Sequence, residues 1–208
     1  MTLAIVQARL GSTRLHGKSL MPIGDKPLIV HVLERAQQIR GIRFTVLAVP
    51  PSDILAMPAG WTVMGFDGLP DHDVLGRFAA VLERYPACET VMRITGDCPL
   101  LDPAICGSVL DLYFDANVGY CSNVFEEDGS VVEGYQDGTD CEVFSARALR
   151  RAHRFATDPV DREHVTPYIR RNNRIATLYP SSREPKIKTS VDTLEDLETV
   201  RAMCSRTA

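Results

Sequence analysis

Short apolar runs alternate with amphipathic stretches through residues 3–115, and that alternation leaves few folds open. LAIVQ (3–7), FTVLAV (44–49), WTVMGF (61–66) and ETVMRI (89–94) have the length and make-up of buried strands. Between the first two, KPLIVHVLERAQQIR (26–40) sets Leu28, Ile29, Val32, Leu33, Ala36 and Ile39 on one helical face, and Gly41 stops it. DVLGRFAAVLERY (73–85) reads as a helix capped by Asp73. DPAICGSVLDLYFD (102–115) reads as another, with Asp102 at the N-cap and Pro103 at the first helical position. Repeated strand–helix units predict an α/β fold with a mostly parallel sheet and right-handed crossovers. Ligands of such sheets bind beyond the carboxyl ends of the strands. The loops 8–19 and 95–102, rich in glycine and charge, are therefore expected on one rim.

The second half has another texture. VGYCS and CEVFS are short strand candidates on either side of a Gly/Asp-rich loop, EEDGSVVEGYQDGTD (126–140). Ser145 is expected to cap the helix SARALRRAHRFA, and DREHVTPYIRRN (161–172) is expected to form a second helix. RIATLYP and KIKTSV are strand-like. TLEDLETVRAMC (193–204) is a helix in which Thr193 and Asp196 form a capping box. No repeat or linker interrupts the 208 residues, so one domain is expected, with 116–172 as a subregion serving an acceptor or a dimer contact.

Composition removes several functional classes. A net charge of −4 gives no overall basic surface for nucleic acid. None of the six cysteines is spaced as C-x-x-C, which argues against a zinc ribbon or a redox pair and for free thiols in a reducing cytoplasm. No apolar run approaches the roughly 20 residues of a membrane span. A cytoplasmic protein is expected, with no nucleic-acid or membrane partner.

The loop RLGSTRLHGKS (9–19) looks at first like a Walker phosphate loop, but five residues separate Gly11 from Gly17 where that pattern wants four. Pro22 and Gly24 also oppose the helix that should begin at the lysine. What remains is a different anion cradle. Gly11, Ser12 and Thr13 can turn amides and hydroxyls toward an anion, and Arg9, Arg14 and Lys18 add three positive charges. A triphosphate needs that many donors and that much charge.

Carboxylates complete the picture. Asp97, in TGDCPLLDP, follows a strand and Gly96 at the same rim. Beside a polyanion a carboxylate implies a divalent metal. Asp192, in SVDTLED, sits between a strand-like run and a capped helix, and would share the metal if it faces Asp97. DHD (71–73) looks like the D-x-D of metal-dependent glycosyltransferases, although Asp73 is also a cap. Arg77 and Arg93 flank the rim, and Arg162, Glu163 and His164 share one helical turn.

These motifs together resemble the spore coat polysaccharide biosynthesis protein F family. They are IVQARLGSTRLHGKSLMPIGDKPLIVHVLERA, PDHDVLGRF, VMRITGDCPLLDP, DGTDCEVFSARALRRA, DPVDREHVTPYIRRN and SVDTLEDLETVR. That family belongs with the cytidylyltransferases that make CMP-sialic acid and CMP-KDO. The likeness runs from residue 3 to about 203. It departs at His16, where the family's L-P-G-K has proline, and it is weakest between residues 50 and 70.

The resemblance implies a Rossmann-like, GT-A-like three-layer nucleotidyltransferase fold, CTP as substrate, Mg²⁺ as cofactor and a homodimer. It implies that Arg9, Gly11, Ser12, Arg14 and Lys18 form the nucleotide-binding loop; nucleotide contacts are also expected from Gln7, Ala8, Thr13, Arg77, Thr95 and Asp97, with Arg14, Lys18 and Asp97 at the chemistry. Asp97 and Asp192 would hold the metal. Arg93, Asn123, Asp137, Asp140, Glu142 and His164 are expected to meet a small acidic acceptor. Two other readings are a glycosyltransferase using DHD and a non-catalytic nucleotide-binding subunit.

Overall fold

The computed structural model describes residues 1–127, 130–132, 135, 137–180 and 187–205. Parts of the 126–140 loop, and Lys186 of the KIKTSV run, lie outside them.

The sheet is built from β1 (Thr2–Gln7), β4 (Ile42–Ala48), β5 (Val63–Met64), β6 (Thr90–Thr95), β7 (Tyr120–Ser122), β10 (Cys141–Ser145) and β11 (Ile175–Thr177). Its order is β11-β7-β10-β6-β1-β4-β5. β1 is parallel to both β4 and β6, and β4 to β5. β10 runs antiparallel to β6 and β7, while β11 is parallel to β7. The expected mostly parallel sheet is present. Residues 116–172 supply β7 and β10, so that segment extends the same sheet.

Two short hairpins lie apart from it: β2 (Pro22–Ile23) with β3 (Lys26–Pro27), and β8 (Phe125–Glu127) with β9 (Ser130–Val132). The helices are α1 (Leu28–Gln38), α2 (Val74–Glu83), α3 (Pro103–Asp115), α4 (Ala146–Phe155), α5 (Pro159–His164), α6 (Pro167–Arg171) and α7 (Leu194–Ser205). α1, α3 and α7 pack on one face of the sheet around Leu28, Val32, Leu110 and Val200. α2, α4 and α6 pack on the other around Phe78, Leu149 and Ile169. Alternate residues of β1 serve the two layers, Ala4 and Val6 one and Leu3 and Ile5 the other, because strand side chains alternate. Among the described residues, no helix is long and apolar enough to cross a membrane.

Local signals set the helix starts. Asp73 accepts from Gly76 N, Asp102 from Ala104 N and Ser145 from Ala148 N. Thr193 and Asp196 exchange bonds as a capping box. Two expectations are corrected. The helix over 161–172 is two short helices: Val165 takes φ 69°, and Pro167, with no N–H, opens the second one. KIKTSV makes no strand over its described residues. Its backbone is committed elsewhere, with Thr189 N on Asp137 O and Val191 N on Asp97 O.

Candidate active site

β1 and β6 are adjacent and parallel, so the loops that leave them emerge side by side. Gly96 N donates to Gln7 O at 2.8 Å. A Cβ on Gly96 would lie 2.7 Å from that same oxygen, which is why glycine stands there. The 8–19 loop closes on itself through Leu10, whose carbonyl accepts from Ser12 N and Gly17 N, each at 2.9 Å. Gly17 takes the left-handed conformation, φ 69°, and a 3-10 turn over Lys18–Leu20 follows, then the β2–β3 hairpin. No helix starts at the lysine. His16, in place of the family proline, points to solvent just before this glycine.

The loop lines a cleft of about 220 Å³. Gln7, Ala8, Arg9, Ser12, Thr13, Arg14 and Lys18 reach it from one side. Arg77, Thr95, Asp97, His164 and Asp192 reach it from the others. Gly11 shapes the turn without lining the cleft.

Lys18 is 9% exposed. Its ammonium donates to Asp97 Oδ2 at 2.8 Å, Asp192 Oδ1 at 3.1 Å and Val191 O at 2.7 Å. An ammonium has three protons, so all are committed in this state. Asp97 and Asp192, expected to share a metal, here share the Lys18 ammonium. The Lys18 ammonium above all, with Lys188 at 3.3 Å and Arg14 at 2.9 Å, overcomes the cost of burial and holds the Asp192 carboxyl below the ordinary range. Two hard carboxylates converging on one cation, beside an anion cradle, are the donor set a magnesium ion takes when phosphates and water complete its shell.

Arg77 is 2% exposed at the cleft wall. It donates to Asp71 O at 2.8 Å, yet its Nε has no partner among the described residues. Burial pulls its guanidinium below the usual value. A guanidinium in the wall of a cleft is suited to an anionic or carbonyl-bearing ligand. The DHD segment is spent on structure: Asp73 caps α2 and pairs with Arg162, and Asp71 gives its carbonyl to Arg77.

A second cavity of about 490 Å³ adjoins the first, sharing Thr95 and His164. Arg93, Asp140 and Glu142 line it. Glu142 is paired with Arg93 and also accepts from Tyr120 Oη and Thr166 Oγ1, both at 2.6 Å. Burial alone would raise its carboxyl, but these partners hold it below the ordinary range. Arg93 Nε reaches on to Gln7 Oε1 at 2.9 Å, joining the two cavities. Asn123 and Asp137 line neither. Asn123 is 1% exposed with both ends of its amide bound to backbone, and Asp137 accepts from Thr189 and Ser190.

Sequence reasoning gave no role at the site to three participants. Asp53 accepts from Leu10 N at 2.8 Å and ties the loop to the segment after β4. Glu163 lies 3.4 Å from Arg9. Val191 offers only a main-chain oxygen, for which no residue type is a signal.

The cytidylyltransferase family model matches residues 3–205. Spore coat polysaccharide biosynthesis protein SpsF of Bacillus subtilis (strain 168) is 30% identical over 97% of this chain and 85% of its own length. A cytidylyltransferase structure from Leptospira borgpetersenii aligns with a TM-score of 0.84 at 26% identity, over 99% of this chain and 87% of that one. A CMP-2-keto-3-deoxy-manno-octonic acid synthetase solved with CTP has the same fold, with a TM-score of 0.73 at 21% identity over 100% and 99% of the two chains. With a match that spans nearly its whole length, the chain belongs to the cytidylyltransferase family.

Proposed function

We propose that this protein transfers CMP from CTP to a small acidic acceptor and releases pyrophosphate, in surface-polysaccharide or related biosynthesis. The observation that carries the reading is the convergence of Asp97 and Asp192 on Lys18 at the floor of a cleft walled by Arg9, Arg14 and Arg77. An acceptor oxygen attacks the α-phosphorus, and the bond to the pyrophosphate oxygen breaks. No nucleophilic side chain is required, because positioning and charge stabilisation do most of the work in such transfers. Asp97 and Asp192 would hold Mg²⁺, which supplies Lewis-acid stabilisation of phosphate charge. Lys18, anchored by Val191 O, would turn its charge to phosphate oxygens, and Arg14 and the loop amides would stabilise the remaining charge. The neighbouring cavity at Arg93, Asp140, Glu142 and His164 would receive the acceptor.

The test is pyrophosphate release from CTP and Mg²⁺ with a panel of acidic sugars, sugar phosphates and phosphonates, with ATP, GTP and UTP as controls. CTP-specific release with a panel member is expected, abolished by EDTA and restored by Mg²⁺. Binding of CTP without release across the panel would favour the non-catalytic reading. The same preparation should sediment as a homodimer, a state consistent with the open sheet edge at β11, where Ile175 is exposed.

Arg77 gives a sharper check. Arg77→Lys keeps the charge and loses the planar fork. A hydrogen bond from a charged group contributes about 1.5–3 kcal/mol, so KM for CTP should rise roughly tenfold to a hundredfold. An unchanged KM would remove Arg77 from the nucleotide site.

A further inference from the structure

We propose that Asp140 is the base that takes the proton from an attacking hydroxyl of the acceptor. The inference rests on the reading of the cleft and its neighbouring cavity as nucleotide and acceptor sites.

The backbone on both sides of Asp140 is fixed by one residue. Asn123 Nδ2 donates to Thr139 O, and Cys141 N donates to Asn123 Oδ1, each at 2.9 Å. Just upstream, Asp137 is stitched to Thr189 and Ser190, beside Asp192. Gly138 packs so closely there that a Cβ would lie 2.5 Å from Ser190 N. The backbone that carries Asp140 is thus fixed at the cavity its side chain lines, which places a base where it can meet a proton in the transition state.

The other carboxylates of the two cavities are occupied. Glu142 is saturated by Arg93, Tyr120 and Thr166. Asp97 and Asp192 are on Lys18, and Glu163 is on Arg9. Asp140 has no hydrogen-bond donor among the described residues, so its lone pairs are available to an incoming hydroxyl. Burial first, then the like charges of Asp137, Glu142 and Asp97, push its carboxyl up to about 7, with Arg93 opposing. Arg170 and His164 face the cavity from α6 and α5, and His164 is exposed to solvent at its rim. A carboxylate tuned near neutrality both exists as the base and gains from accepting a proton.

The step balances. The hydroxyl proton passes to the Asp140 carboxylate as the oxygen bonds to the α-phosphorus, and the electron pair of the breaking bond leaves with pyrophosphate. A phosphate or phosphonate oxygen is already ionised and needs no base. Asp140 therefore points to a hydroxyl-bearing acid, such as an acidic sugar, as the acceptor.

The experiment compares wild type with Asp140→Asn and His164→Asn, using CTP, Mg²⁺ and 3-deoxy-manno-octulosonate or N-acetylneuraminate, across pH 5.5–9. In the wild type kcat should rise with pH through about 7. Asp140→Asn should lower kcat about 100-fold, keep KM for CTP within twofold and abolish that rise. Asp140→Glu should recover part of the rate, and His164→Asn should keep the rise. Melting curves and CTP binding establish that the variants are folded. A kcat within threefold of wild type, or a rise that vanishes with His164 instead, overturns the base and leaves cytidylyl transfer standing. Turnover only with phosphonates or phosphates does the same. Failure to release pyrophosphate with every acceptor overturns both.

Discussion

Asp97→Asn should lower kcat about 1,000-fold while the protein stays folded. The substitution keeps the shape of the side chain at the end of β6 and removes one charge. Asp97 shares the Lys18 ammonium with Asp192 and Val191 O, so the lysine retains two of its three acceptors in the variant. The main chain is also unaffected, since Val191 N donates to Asp97 O and not to the side chain. The folding cost is therefore that of one weakened, partly exposed hydrogen bond, about 1 kcal/mol. The catalytic cost is larger because a metal ligand acts on charge that develops in the transition state, where loss of several kcal/mol, about 4, corresponds to a factor of 1,000. Steady-state pyrophosphate release at saturating CTP, beside a melting curve, measures both. Near-normal turnover in a folded variant would rule out Asp97 as a metal ligand.

The contrast between Asp97 and Asp53 shows which parts of this site a sequence reveals. Asp97, Lys18 and the arginines of the 9–18 loop are legible because charge and glycine at the end of a strand have few other uses. Asp53 fixes the same loop from 43 residues away through a backbone amide, and nothing in PPSDIL distinguishes it from a surface aspartate. Asn123 is the reverse case. It was expected to meet the acceptor, yet its amide brackets Asp140, which only the pairing of β7 with β10 could place beside it. The fold follows the same division. The caps at Asp73, Asp102, Ser145 and Thr193 are local and were readable. The break at Val165 was signalled by Pro167, but helical periodicity on both sides of it masked that signal. KIKTSV alternates like a strand, but over its described residues Asp97, Asp137 and Lys18 take backbone groups that a strand would use. Short-range chemistry was legible, and tertiary claims on a backbone were not.

Glu142→Ala should destabilise the protein by about 3–5 kcal/mol, the usual cost of removing one partner from a buried ion pair. Glu142 is 8% exposed on β10, opposite Arg93 on β6. Among the described residues, its removal leaves the Arg93 guanidinium hydrogen-bonded to Gln7 alone, and it strips acceptors from Tyr120 Oη and Thr166 Oγ1. For a chain of this size the melting temperature should fall by about 10 °C. The effect should depend on pH in a set direction. The Glu142 carboxyl is held below its ordinary range, so its contribution is fully present above the unfolded-state value, near 4.3, and fades as pH falls through the lower folded value. The gap in stability between wild type and Glu142→Gln, which keeps the shape and removes the charge, should therefore close below about pH 4, while near pH 7 the titration of Asp140, which the Glu142 charge helps raise, adds a separate change. Because Arg93 also holds Gln7 at the nucleotide cleft, KM for CTP should rise in both variants. Denaturant melts at several pH values test the assignment, and a gap that stayed open well below pH 4 would show that the contribution of Glu142 does not depend on its charge.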